Sequence, residues 1–67
     1  MDIHLVITGQ TYAEKADRLL TRYRYPHRMQ KTVTAEGCVW RFGISGPLDE
    51  VLALLQANGI PARLERS

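Results

Sequence analysis

MQKTVTAEGCVWRFGIS, residues 29–45, holds two short β-rich runs on either side of a turn, and its reading decides the fold. Met29 to Thr34 and Cys38 to Ser45 are rich in β-branched and aromatic residues, which suit a pleated and half-buried surface. Between them Ala35-Glu36-Gly37 supplies a tight turn whose glycine can take positive φ. The segment is a predicted hairpin. In its second run Cys38, Trp40, Phe42 and Ile44 alternate with Val39, Arg41, Gly43 and Ser45, which sends the large apolar side chains to one face, toward a core. In the first run Met29 and Val33 share that inward side with Lys31. An inward lysine is one means by which an edge strand avoids pairing with foreign strands.

Each run of the hairpin is joined to a helix and a further strand. Upstream, Ile3-His4-Leu5-Val6-Ile7 is a strand with Ile3, Leu5 and Ile7 on one side and His4 and Val6 on the other. Thr8-Gly9-Gln10 breaks it, and Thr11 followed by Glu14 has the spacing of a capping box that starts a helix. Ala13, Ala16, Leu20 and Tyr23, with Leu19 beside them, form that helix's apolar stripe, while Lys15, Arg18 and Arg22 lie off it. Pro26 ends it.

Downstream, Ser45-Gly46-Pro47 precedes a second helix with Asp49 and Glu50 near the positive end of its dipole. Its buried stripe is Leu48, Val51, Leu52 and Leu55. Asn58-Gly59 closes the helix, with Ile60 supplying the apolar contact of a left-handed cap and Pro61 preventing continuation. Ala62 to Glu65 is the last strand, with Ala62 and Leu64 inward and Arg63 and Glu65 outward.

The order strand, helix, strand, strand, helix, strand resembles the ferredoxin-like superfold, and the resemblance covers nearly the whole chain, residues 1–67, as one domain. It implies an α+β two-layer sandwich: a four-stranded antiparallel sheet in the order 4-1-3-2, with two helices on one face and right-handed crossovers. The superfold hosts many unrelated functions and transfers no functional residue. Nor do its better-known uses fit. The outward positions of the third strand hold Val39 and Arg41, not the stacking aromatics of the RNA-recognition version. The loop Thr8-Gly9-Gln10-Thr11 lacks the Cys-x-x-Cys of the metal-transport version.

Composition narrows the classes further. With 67 residues the chain has room for one marginally stable core, and its single cysteine, Cys38, excludes an internal disulfide. A reducing, cytoplasmic setting is the expectation, since MDIHLVITG is too short and acidic for a signal peptide and no apolar run has membrane-spanning length. The net charge of +2 does not by itself argue for nucleic acid.

Three surfaces are candidates for function. The first is the sheet face that the helices leave bare: His4, Val6, Val39 and Arg41 at its centre, with Thr32, Thr34 and Arg63 flanking, an expected protein interface to a partner or a second copy. The second is the basic run Arg18, Arg22, Arg24, His27, Arg28 and Lys31, interleaved with Tyr23 and Tyr25, an alternative surface for nucleic acid. The third takes the first and third strands as parallel neighbours, so that the loops Thr8–Thr11 and Ser45–Pro47 bring two helix N-termini together, an anion site for a small-ligand regulatory role. Glu14, Asp49 and Glu50 weigh against that third surface.

No catalytic set emerges. Cys38 is expected inward as a small hydrophobe, and His4, His27 and Cys38 have no metal-ligand spacing. The carboxylates Glu14, Asp17, Asp49 and Glu50 are accounted for as cap, helix surface and dipole complement. The expectation is a non-enzymatic binding or regulatory protein without cofactor, metal or membrane contact. In size and in lacking catalytic motifs it is similar to small inhibitors made by phages and other mobile elements, anti-CRISPR proteins among them.

Overall fold

A computed structural model describes residues 2–35 and 37–65. The elements run β1 (Asp2–Thr8), α1 (Gln10–Arg22), β2 (His27–Thr34), β3 (Gly37–Ser45), α2 (Leu48–Ala57) and β4 (Arg63–Leu64). Alternation along the strands and two short amphipathic helices thus produce the α+β order expected of them. Glu36, in the hairpin turn, lies outside the described residues.

The strands form one antiparallel sheet in the order β2-β3-β1-β4, so that β1 and β3 are central and β2 and β4 are edges. Ile3 pairs with Ile44, Leu5 with Phe42 and Ile7 with Trp40, which lines up the apolar residues of both central strands on one face. Onto that face pack Ala13, Ala16 and Leu20 of α1 and Val51 and Leu55 of α2, closed by Ile60. Leu48, Leu52 and Trp40 are partly buried against the same core. All lie within one helix-covered layer, and among the described residues the other face of the sheet has no element packed on it.

Both helices end in the same way. After α2, Gly59 N–H donates to Gln56 O at 3.0 Å and Ile60 N–H to Leu55 O at 3.0 Å, with Gly59 at φ 69°, the left-handed cap that the sequence suggests. After α1, Arg24 N–H donates to Thr21 O at 3.1 Å and Tyr25 N–H to Leu20 O at 2.9 Å. Here the left-handed residue is Arg24, at φ 62°. The helices are also tied to each other, since Lys15 Nζ donates to Asn58 O at 2.9 Å at the negative end of α2.

Local readings failed at several places, and Leu64 of β4, inward by register but 41% exposed, is among them. The capping box does not form: α1 begins at Gln10 with Gly9 as N-cap and no side-chain cap, and Glu14 accepts a hydrogen bond from Gln10 Nε2 at 3.2 Å instead. Tyr23 leaves the apolar stripe because the helix stops at Arg22; as the C-cap it turns outward and is 54% exposed. Cys38 keeps its inward register but is exposed. Thr8, the last residue of β1, pairs with Val39, so Cys38 and its partner Val33 run on past the end of β1.

Candidate interface on the uncovered sheet face

The seven residues expected on the bare face do share it. Alternation places His4, Val6 and Thr8 of β1 on the side opposite the core, and the register sets Val6 beside Arg41 and Arg63, and Val39 beside Thr8 and Thr32. Thr34 closes the row at the hairpin end, opposite Gly37. Thr34, Val39, Arg41, Arg63 and Glu65 together line a shallow depression there.

The expected apolar centre is not what the face presents. Val6 is only 9% exposed, although no helix covers it. Its two cross-strand neighbours are arginines, whose aliphatic stems can screen an apolar neighbour while their heads stay wet. Arg41 Nη2 also lies 3.5 Å from Glu65 Oε2, and since β1 runs between β3 and β4 this pair spans it. Val6 is therefore a nearly buried residue between two charged neighbours, not an exposed apolar centre. Val39 is half-buried, and His4, Arg41 and Arg63 are exposed.

Structure also redistributes the basic run. Strand alternation sends Arg28 to the uncovered face, beside Gly43 and in the same row as His4, while His27 and Lys31 point to the helix side. His27 is held there by Asp17 Oδ1, 2.6 Å from its Nε2, by Tyr25 O, 2.9 Å from its Nδ1, and by stacking on Phe42 at 6.4 Å between ring centroids. Lys31 Nζ lies 5.9 Å from the centroid of the Trp40 ring. Arg18 and Arg22 stay exposed on α1, and Arg24 sits in the following turn. The six residues do not make one patch, because a helix, a turn and the two faces of a strand divide them.

The gain is on the sheet. Arg28 joins Arg41, Arg63 and His4 on one exposed face, where Glu65 is the one carboxylate among the described side chains. Arg28 shares its parity with Thr32 and Thr34, so this placement could have been found by extending the strand to His27. Glu65 opposite Arg41 could not, since residues 24 positions apart in sequence meet only through the pairing of β1 with both neighbours.

The anion site at paired helix N-termini is overturned. β1 and β3 are antiparallel, with Thr8 opposite Val39 and Asp2 opposite Ser45. α1 starts after Thr8 and α2 starts after Ser45, so their N-termini stand at opposite ends of the sheet, separated by roughly 20 Å of strand. At the α2 end, Tyr25 donates to Glu50 Oε2 at 3.2 Å. Partial burial and that carboxylate raise the Tyr25 phenol above its ordinary value.

Among the described residues no three His, Cys, Asp or Glu side chains are grouped so as to hold a metal ion, and no helix is long and apolar enough to cross a membrane. No protein-family model matches the chain, and a search of the curated proteins finds no match. Fold and surface thus define a class, a small α+β sandwich with one uncovered, arginine-bearing sheet face.

Proposed function

We propose that this chain is a non-enzymatic binding protein of the ferredoxin-like kind that acts by laying its uncovered sheet face on an acidic surface of another protein. Counted from the β4 edge the strand order is β4-β1-β3-β2, and this supports the ferredoxin-like reading. The observation that carries the functional reading is the gathering of Arg28, Arg41, Arg63 and His4 in two adjoining rows, with half-buried Val39 and Thr32 in the next, on a face with no covering layer among the described residues. Arginine is suited to such a site because its planar fork can bond two carboxylate oxygens at once. Four carboxylates have structural partners, Glu14 with Gln10, Asp17 with His27, Glu50 with Tyr25 and Glu65 with Arg41, which favours binding over acid-base chemistry. A protein of this size that covers a partner's surface in the cytoplasm can work as an inhibitor, as the small phage and mobile-element proteins do.

The test is affinity purification from the native host with the parent chain and with Arg41→Glu/Arg63→Glu. A protein recovered with the parent and lost with the variant is the expected result. Recovery of the same protein with both would sink the reading. A second copy of the chain as the sole partner would redirect it to self-association.

Contact with nucleic acid is a second reading, favoured by the arrival of Arg28 on the arginine face. It requires a gel shift at low salt that weakens steeply as salt rises and is lost in Arg28→Glu/Arg41→Glu.

A further inference from the structure

The sheet has a second uncommitted surface, the outer edge of β2. β2 is an end strand with β3 as its neighbour, and its eight residues pair with β3 in unbroken register. Ser45 N–H donates to Pro26 O at 2.9 Å, which extends the same register and identifies the pair 26 and 45 as hydrogen-bonded. In an antiparallel ladder such pairs alternate with non-bonded ones. The peptide groups of Arg28, Gln30 and Thr32 therefore turn toward β3, and those of Met29, Lys31 and Val33 turn away from the sheet. Three residues in alternation, each with one N–H and one C=O directed outward, are what an added strand uses.

The side chains of those three residues lie on the helix side and are exposed. Met29 is 41% exposed and Val33 76%, with exposed Cys38 opposite Val33. Charge selects the occupant. From Arg18 to Lys31 the chain holds no carboxylate, and Asp17 just before it is engaged with His27, so Arg24 in the turn and Arg28 and Lys31 in β2 are the charged residues from that turn to the end of β2. Antiparallel pairing of two copies centred on Lys31 would set Met29 opposite Val33 and Lys31 opposite its own copy, and like charges directly opposite one another are destabilising; the register that brings in His27 sets Met29 opposite Lys31 and leaves the lysine without an opposite charge. The same lysine is complementary to a glutamate or aspartate.

We propose that the β2 edge takes up an extended, acidic segment of a partner protein as a fifth strand, held by the backbone of Met29, Lys31 and Val33 and selected by Lys31. This surface is separate from the arginine face, so each can fail without the other.

The probe is a short capped peptide of alternating glutamate and valine, titrated into the isotopically labelled chain and followed by amide NMR, with a lysine-for-glutamate peptide as control. The expected result is saturable shifts and slowed exchange at the Met29, Lys31 and Val33 amides, an affinity lower by about tenfold or more in Lys31→Glu, and no binding to Val33→Pro. That proline removes an outward N–H, a change edge strands tolerate, and spectral dispersion confirms that the variant is folded. Arg41→Glu should bind the peptide as the parent does. The proposal is overturned if the acidic peptide leaves those amides unmoved, if the lysine peptide binds equally well, or if the shifts fall on Val39, Arg41 and Arg63. It is also overturned if the β2 amides become protected with rising protein concentration alone, because the occupant is then a second copy.

Discussion

His27 Nε2 lies 2.6 Å from Asp17 Oδ1, joining the start of β2 to the middle of α1 across the turn that separates them. The His27 side chain is 10% exposed and its other ring nitrogen faces Tyr25 O, so both nitrogens meet oxygen atoms at the margin of the core. In Asp17→Ala a nearly buried nitrogen loses its partner, at a cost of about 1–3 kcal/mol. Thermal unfolding should shift down by roughly 4–8 °C per kcal/mol for a chain of this size. An unchanged midpoint would show that water replaces the carboxylate without loss.

The left-handed residue after α1 is an arginine where α2 has a glycine, Arg24 against Gly59. Left-handed backbone costs a residue with a Cβ roughly 1–2 kcal/mol. Arg24→Gly should therefore raise the unfolding midpoint, and Gly59→Ala should lower it by a similar amount, measured side by side in thermal melts.

Gly46 packs under Tyr25. A Cβ built at position 46 would stand 2.9 Å from Tyr25 Cδ1 and 3.2 Å from Cε1, too close for the ring to stay where it is. Gly46→Ala should displace the tyrosine, break its hydrogen bond to Glu50 and destabilise the fold by about 1–3 kcal/mol. Combining Gly46→Ala with Tyr25→Ala should cost less than the sum of the two, in a double-mutant cycle of unfolding free energies.

The raised phenol of Tyr25 has a pH consequence. Its protonated form is favoured by the folded state, so this contribution is fully present below the ordinary value of 10.0 and is lost as pH rises through that value toward the folded one. Tyr25→Phe should flatten the decline in stability above about pH 10 relative to the parent. Parallel declines in the two proteins would assign the alkaline loss to other groups.

Val6 and Val39 lie on the same face and should respond differently to charge. Val6 is nearly buried between its arginine neighbours, so Val6→Glu forces a carboxylate into a site with little water and should abolish cooperative unfolding. Val39→Glu should keep the fold and impair binding of the partner only. Circular dichroism melts of the two variants check the contrast.

The strand and helix order was legible because alternation and 3.6-residue spacing are local. Ile3, Leu5, Ile7, Phe42 and Ile44 could be assigned to the core from parity alone, and all are buried. The Gly59 cap was equally clear, since glycine before Ile60 and Pro61 leaves few alternatives. Tyr23 was misjudged because the helical period was carried one residue past the end of the helix at Arg22, and Cys38 because a period says which way a side chain points, not whether anything stands there to cover it. Capping at Thr11 failed because the same sequence allows the helix to begin two residues earlier, with Gly9 as N-cap.

By itself, then, the sequence determined the elements and their inward faces, which follow from contacts within a few residues, and, through the handedness of the crossovers, the expectation of a bare sheet surface. Tertiary structure decided what that surface is. Antiparallel pairing of β1 with β3 separated the helix N-termini, and the pairing of β1 with both β3 and β4 brought Arg41 and Arg63 to either side of Val6 and let Glu65 reach Arg41 across β1. Register between distant segments is set by the sum of packing across the whole sheet, which no local pattern contains.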